Sequence, residues 1–105
     1  MEDLVIVLIT CPSLEIANNI AGRLVTDRLA ACVNIIEKVQ SIFQWQNAVD
    51  QASECLLIIK TKKKGFKLLC DRVLKLHPYQ TPEVIALPII DGSPEYLNWI
   101  AEETI

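Results

Sequence analysis

Three segments of this 105-residue chain are apolar at nearly every position: Leu4–Ile9 (LVIVLI), Glu54–Thr61 (ECLLIIKT) and Val84–Ile90 (VIALPII). β-Branched residues fill them and turn residues bound them, which predicts strands. A strand with one wet face alternates apolar and polar residues. These do not alternate, so both faces of the sheet they build must be covered. Hydrophobic residues make up 51% of the chain, enough for a core without metal or disulfide staples and too many for disorder.

The segments between them set the order of elements. Ser13 is placed to cap a helix, with Glu15 in its first turn and an apolar stripe at Ile16, Ala17, Ile20, Ala21, Leu24 and Val25. Ala30–Trp45 is a second strand region. Fourteen extended residues from Cys32 to Trp45 would span about 46 Å, against a radius of gyration of about 13 Å for a globule of this size. That strand must bend, carry a bulge or project. The polar stretch Gln46–Ser53 reads as its turn, which makes a long hairpin with Glu54–Thr61. Lys64–Leu76 predicts a second helix, its stripe at Phe66, Leu69, Cys70, Val73 and Leu74, stopped by Pro78. Pro88 puts the fourth strand at an edge or bulge. Ser93-Pro94-Glu95 starts a third helix, with Ser93 as cap.

The order β-α-β-β-α-β plus a C-terminal helix predicts one α+β domain over residues 1–105. It is the ferredoxin-like arrangement, a four-stranded antiparallel sheet with a long β2–β3 hairpin. Two helices cover one face. The other is also apolar and has only one short helix left to cover it, so a second copy of the chain is the expected cover. Trp45 at the hairpin tip is expected to pack on a neighbouring subunit.

Several function classes are excluded. A formal net charge of −3 does not suit nucleic-acid binding, and the lysines at 60, 62, 63 and 64 read as a solvated strand end. No apolar run approaches the roughly 20 residues that span a bilayer. Met1-Glu2-Asp3 is acidic where a secretory leader would be basic, so a cytoplasmic protein is expected. Cys11, Cys32, Cys55 and Cys70 are too widely spaced for a zinc or thioredoxin-like motif and are expected to be buried, reduced thiols. No nucleophile elbow or P-loop occurs, so no enzyme is expected.

The one histidine stands in His77-Pro78-Tyr79-Gln80-Thr81-Pro82-Glu83, a stiff polar connector between helix and strand. Two readings stay open. His77 is a metal ligand needing companions, with Cys32 a candidate thiol, or it caps the second helix. Tyr79 and Glu83 line a ligand cleft or merely hold the strand entry. Lys60 pairs with Glu54 or Glu83 as a further structural option.

Leu29–Ile35 (LAACVNI), Phe43-x-Trp45, Glu54-x-x-Leu57-Ile58-Ile59-Lys60-Thr61, His77-Pro78-Tyr79-x-x-Pro82-Glu83 and Tyr96-Leu97-x-Trp99-Ile100 together resemble the CutA proteins, in order and spacing along the whole chain. The resemblance implies a homotrimer, similar in architecture to the PII signalling proteins, associated with tolerance of divalent cations. It implies no obligatory cofactor, with copper or another divalent cation the one candidate. It also implies an inter-subunit cleft to which Trp45, Glu54, Lys60, Tyr79 and Glu83 belong, with His77 and Cys32 as metal candidates. A PII-like small-molecule sensor is the alternative. The chain departs from the family pattern at Phe43 and Asn47. It also departs at Ile9, Arg72 and Leu76, where one branch carries copper-binding cysteines and a histidine.

Overall fold

A computed structural model describes residues 2–105; Met1, which the acidic N-terminal reading includes, lies outside them. Strand β1 (Leu4–Cys11) leads into helix α1 (Leu14–Thr26), then come strands β2 (Cys32–Trp45) and β3 (Ala48–Lys62). A single 3-10 turn at Lys63–Gly65 precedes helix α2 (Phe66–Leu76), strand β4 (Val84–Pro88) and helix α3 (Pro94–Glu103). The strands line up as β2-β3-β1-β4, every neighbour antiparallel. β1 is therefore paired on both edges, and Pro88 stands in the edge strand β4, where a missing N–H costs no ladder bond.

The core lies on the helix face. Val5, Val7, Ile9 and Cys11 of β1 and Leu57 and Ile59 of β3 pack under Ala17, Ile20 and Leu24 of α1 and Leu69 and Val73 of α2, all buried. Ser13 caps α1 as expected, its hydroxyl accepting from the Ile16 N–H at 3.3 Å. Ser93 stands at the N-cap of α3 but its side chain makes no capping bond. Two stripe positions are exposed: Val25 and Leu74 lie beside the buried sets Ala17, Ile20, Ala21, Leu24 of α1 and Leu69, Val73 of α2.

The long hairpin resolves its length in two of the foreseen ways. Between Ile36 and Val39, Glu37 and Lys38 stand opposite the single residue Cys55, with Lys38 at φ 61°, a β-bulge. Beyond it the hairpin projects, and the molecule measures 44 × 25 × 23 Å. The turn is shorter than its polar sequence suggests. β3 begins at Ala48, and the chain reverses at Gln46 (φ 50°) and Asn47 (φ 66°), the two-residue turn with positive φ at both positions. Asp50, Gln51 and Ser53 are strand residues on a wet ribbon, where polarity does not break pairing; Gln40 and Gln51 bond across it at 3.0 Å.

The second sheet face is covered at one end only. Leu4 pairs with Lys62, and both are buried on that face because α3 lies beneath them, with Lys62 Nζ donating to the Thr104 carbonyl at 3.0 Å. Further along, the same face carries Ile6, Leu8, Leu56 and Ile58, flanked by Ile36 (46% exposed), Ile85 (49%) and Leu87 (44%). The continuously apolar strands thus have a dry face under the helices and an apolar face that one chain leaves largely open.

Candidate functional site

Pro78 organises the connector. A residue before proline is pushed out of the helical region, and His77 duly sits at φ −88°, ψ 133° as the C-cap of α2. That turn brings its ring over the end of β1, where His77 is 7% exposed. Nε2 lies 2.7 Å from the Thr10 carbonyl oxygen, and Nδ1 accepts from the Tyr79 N–H at 3.2 Å. One ring nitrogen must donate and the other accept, which fixes the neutral tautomer with its proton on Nε2. The Tyr79 ring tilts against it, centroids 4.8 Å apart.

Tyr79 then reaches across to the hairpin root, its hydroxyl donating to Glu54 Oε2 at 2.9 Å. Glu54 is 6% exposed, on the strand-β3 residue next to the bulge. Burial, then the hydrogen bond and negative charge of Glu54, push the Tyr79 phenol up to about 12. Around this pair lies a cleft of about 630 Å³ lined by Thr10, Ser41–Phe43, Trp45, Asp50, Glu54, Tyr79–Thr81 and Glu83. Trp45, Glu54, Tyr79 and Glu83, all named from the sequence, do meet there. Thr10, Phe43 and Asp50 join them without having been picked out as lining residues. Only the strand register could have found them, since Phe43 pairs directly with Asp50.

Lys60 and Cys32 do not belong to this cleft. They pair with each other near the opposite end of the sheet, Lys60 donating to the Asn34 side chain and Cys32 Sγ lying 4.0 Å from the same oxygen. Lys60 therefore pairs with neither Glu54 nor Glu83. Strand β1 shows the separation: Lys60 opposes Ile6, whereas His77 contacts Thr10, four residues further on. Burial of Tyr96, followed by the adjacent Cys32, raises the Tyr96 phenol at this second cluster.

Within one chain His77 and Cys32, the two metal candidates, do not come together. Both His77 nitrogens are engaged with the backbone, Cys32 is at the wrong end of the sheet, and no three His, Cys, Asp or Glu side chains converge among the described residues. Cys11 and Cys55 oppose each other on β1 and β3, and burial, then Cys55 and Glu54, push the Cys11 thiol up to about 12. The donors of one chain do not fit a metal centre. The expectation of four buried thiols is also corrected: Cys11 and Cys55 are buried, whereas Cys32 and Cys70 are half-buried, and all four are free.

The sequence model of the family described as CutA1 divalent ion tolerance protein matches residues 5–103. The chain belongs to that family. Its similarity to the divalent-cation tolerance protein CutA of Thermus thermophilus is 52% identity over 99 residues, covering 94% of this chain and 96% of that one. The solved structure of the T. thermophilus Cut A1 protein superposes with a TM-score of 0.93 at 50% identity and covers 100% of both chains. The human protein CutA is 43% identical over 96 residues, covering 91% of this CutA1-family chain, which spans just over half (54%) of the human protein. A structure from Archaeoglobus fulgidus, titled as a periplasmic divalent cation tolerance protein CutA, superposes with a TM-score of 0.93 at 42% identity, covering 95% and 97% of the two chains. The α+β fold with its four-stranded antiparallel sheet is thus the CutA1 fold. No helix among the described residues is long and apolar enough to cross a membrane.

Proposed function

We propose that this CutA1-family chain works as a non-enzymatic homotrimer in the response to divalent metal ions, one domain per subunit. The open sheet face carries the reading. Ile6, Leu8, Leu56, Ile58, Ile85 and Leu87 form a contiguous apolar surface in the middle of an otherwise well-packed sheet. Each such side chain gains about 1.5–3 kcal/mol when fully buried, so several together favour self-association strongly. A homotrimer closed on this face would bury it with identical residues from each copy. Non-enzymatic action is supported by His77, whose two nitrogens are spent on the backbone and offer no free base. A cytoplasmic location is supported by four free cysteines, which suit a reducing compartment. Light scattering on a gel-filtration peak tests the assembly. The expected mass is three chains, falling to one in Ile58→Glu; a wild-type monomer at micromolar concentration would sink the reading.

A second reading, small-molecule sensing, is favoured by the cleft at the hairpin root. Its volume suits a metabolite, for which pockets of roughly 300–1,000 Å³ are usual, and four of the five residues assigned to a cleft from the sequence gather in it. Calorimetric titration with a metabolite panel tests it, and a cleft silent to every compound would count against it. Copper enters neither reading through His77 and Cys32, whose geometry gives no support.

A further inference from the structure

We infer that Cys11 and Cys55 are a redox-responsive pair: a peroxide converts them to an intrachain disulfide that ties β1 to β3 at the root of the hairpin. The two residues face each other as the last pair of the β1–β3 ladder. Both side chains belong to the helix-covered face. Val7, Ile9 and Cys11 of β1 are buried there, and so, opposite them, are Ile59, Leu57 and Cys55 of β3. A neighbouring copy seated on the open sheet face does not touch them. Both thiols are free.

Directly opposed residues of antiparallel strands hold their Cα atoms about 4.5 or 5.5 Å apart, and a disulfide bridges about 4.4–6.8 Å. Their Cβ atoms must close by roughly 1 Å to reach the spacing of a bridge. The backbone can yield that much at both positions. Cys11 is the last residue of β1, with Pro12 next. Cys55 stands opposite the bulge at Glu37 and Lys38, where the β2–β3 ladder is interrupted. The two thiols are not equivalent. Burial, then the adjacent Cys55, pushes the Cys11 thiol up to about 12, and Cys11 is wholly buried, so Cys55 is the one that meets the oxidant first.

The chemistry closes on these two sulfurs. The Cys55 thiolate attacks one peroxide oxygen, the O–O bond breaks, and the departing hydroxide takes up the proton the thiol gave and leaves as water. Cys11 then attacks the resulting sulfenic acid. The S–S bond forms, the S–O bond breaks, and a second water leaves with the Cys11 proton. The two thiols lose two electrons and the peroxide gains them. Cys11 needs no solvent access, because its target is already beside it. Exchange with a thiol reductant reverses the bridge, as suits a transient disulfide in a reducing compartment. Chain neighbours carry the effect to the connector. Thr10, whose carbonyl holds His77 Nε2, precedes Cys11, and Glu54, which holds the Tyr79 hydroxyl, precedes Cys55. Linking the cysteines fixes the spacing of those two acceptors and so locks His77 and Tyr79 in place.

The test treats the assembled wild-type protein with hydrogen peroxide, blocks the remaining thiols with N-ethylmaleimide in denaturant, and digests with trypsin. Arg23, Arg28, Lys38 and Lys60 separate the four cysteines onto different peptides. The expected product is a linked pair of the Cys11 and Cys55 peptides that dithiothreitol dissolves. Oxidation should raise the thermal midpoint by roughly 10 °C at matched concentration. It should also slow hydrogen exchange of the Tyr79 amide, the donor to His77 Nδ1, several-fold. In Cys11→Ala, Cys55 lacks its resolving partner and should proceed to the sulfinic acid; in Cys55→Ala, Cys11 should stay a thiol. The wild-type digest decides the pairing whether or not either variant folds. Cys11 and Cys55 still free after Cys32 and Cys70 have oxidised would overturn the inference, as would linkage of either one to Cys32 or Cys70. A linked pair that leaves the midpoint or the Tyr79 exchange unchanged would overturn the lock.

Discussion

Replacing Tyr79 with Phe removes one oxygen and leaves the ring in place beside His77. The hydroxyl lost is the one that donates to Glu54 Oε2 at 2.9 Å, and Glu54 is 6% exposed. A hydrogen bond to an ionised group contributes about 1.5–3 kcal/mol, and the upper part applies when the partner is left buried and unsatisfied. Tyr79→Phe should therefore cost about 2–3 kcal/mol, with unfolding measured at matched subunit concentration because assembly shifts the midpoint. Glu54→Gln should cost less, since its amide oxygen still accepts. The double variant should fall short of the sum of the two, which would show that the residues act on one another.

The same bond predicts a pH signature. The Tyr79 phenol ionises at about 12 in the folded chain, above its ordinary value of 10.0, through burial and the Glu54 carboxylate. A group whose folded value is raised contributes stability that is complete below its unfolded value. That contribution is lost as pH climbs from about 10 through 12. Absorbance at the phenolate band should show a late step that Tyr79→Phe removes, leaving the step of Tyr96, which is also raised. A variant as stable as the wild type, or a Tyr79 step at the ordinary phenol value, would rule out this coupling between Tyr79 and Glu54.

Leu57→Ala deletes a fully buried side chain from the centre of the helix-covered face and should cost about 2–5 kcal/mol in chemical denaturation. Asn47 at φ 66° admits Gly without loss, whereas Asn47→Val should destabilise the hairpin by about 1–2 kcal/mol, readable as a lower thermal midpoint. Native alkylation near pH 8, followed by peptide mass analysis, should modify half-buried Cys70 and spare Cys11. Cys11 combines full burial with a thiol pushed up to about 12, and it should react only on unfolding.

Much of the architecture was readable from local chemistry. The period of apolar residues places α1 and α2, Pro78 ends α2, Pro88 marks an edge strand, and the length of Cys32–Trp45 demands a bulge or projection that appears as both. The turn at Gln46-Asn47 was legible only in part. Polarity over residues 46–53 suggested a loop, but strand pairing is decided by the backbone, and a ribbon that projects into water tolerates Asp50 and Gln51. Of the residues that the family resemblance grouped in a cleft, Trp45, Glu54, Tyr79 and Glu83 lie together in this chain, while Lys60 lies toward the other end of the sheet.

The sequence by itself determined that the sheet has two apolar faces, because side chains alternate along a strand and these strands are apolar on both sets of positions. It also determined that a stiff His-Pro-Tyr segment joins α2 to β4. Register was beyond it. Which residues stand side by side depends on pairing between strands far apart in the chain, and a shift of four residues separates the Cys32–Lys60 cluster from the contact between His77 and Thr10. Tertiary structure also decided the chemistry of the lone histidine. By aiming Nε2 at a β1 carbonyl and Nδ1 at the Tyr79 N–H, it made His77 the pin that holds Tyr79 against Glu54.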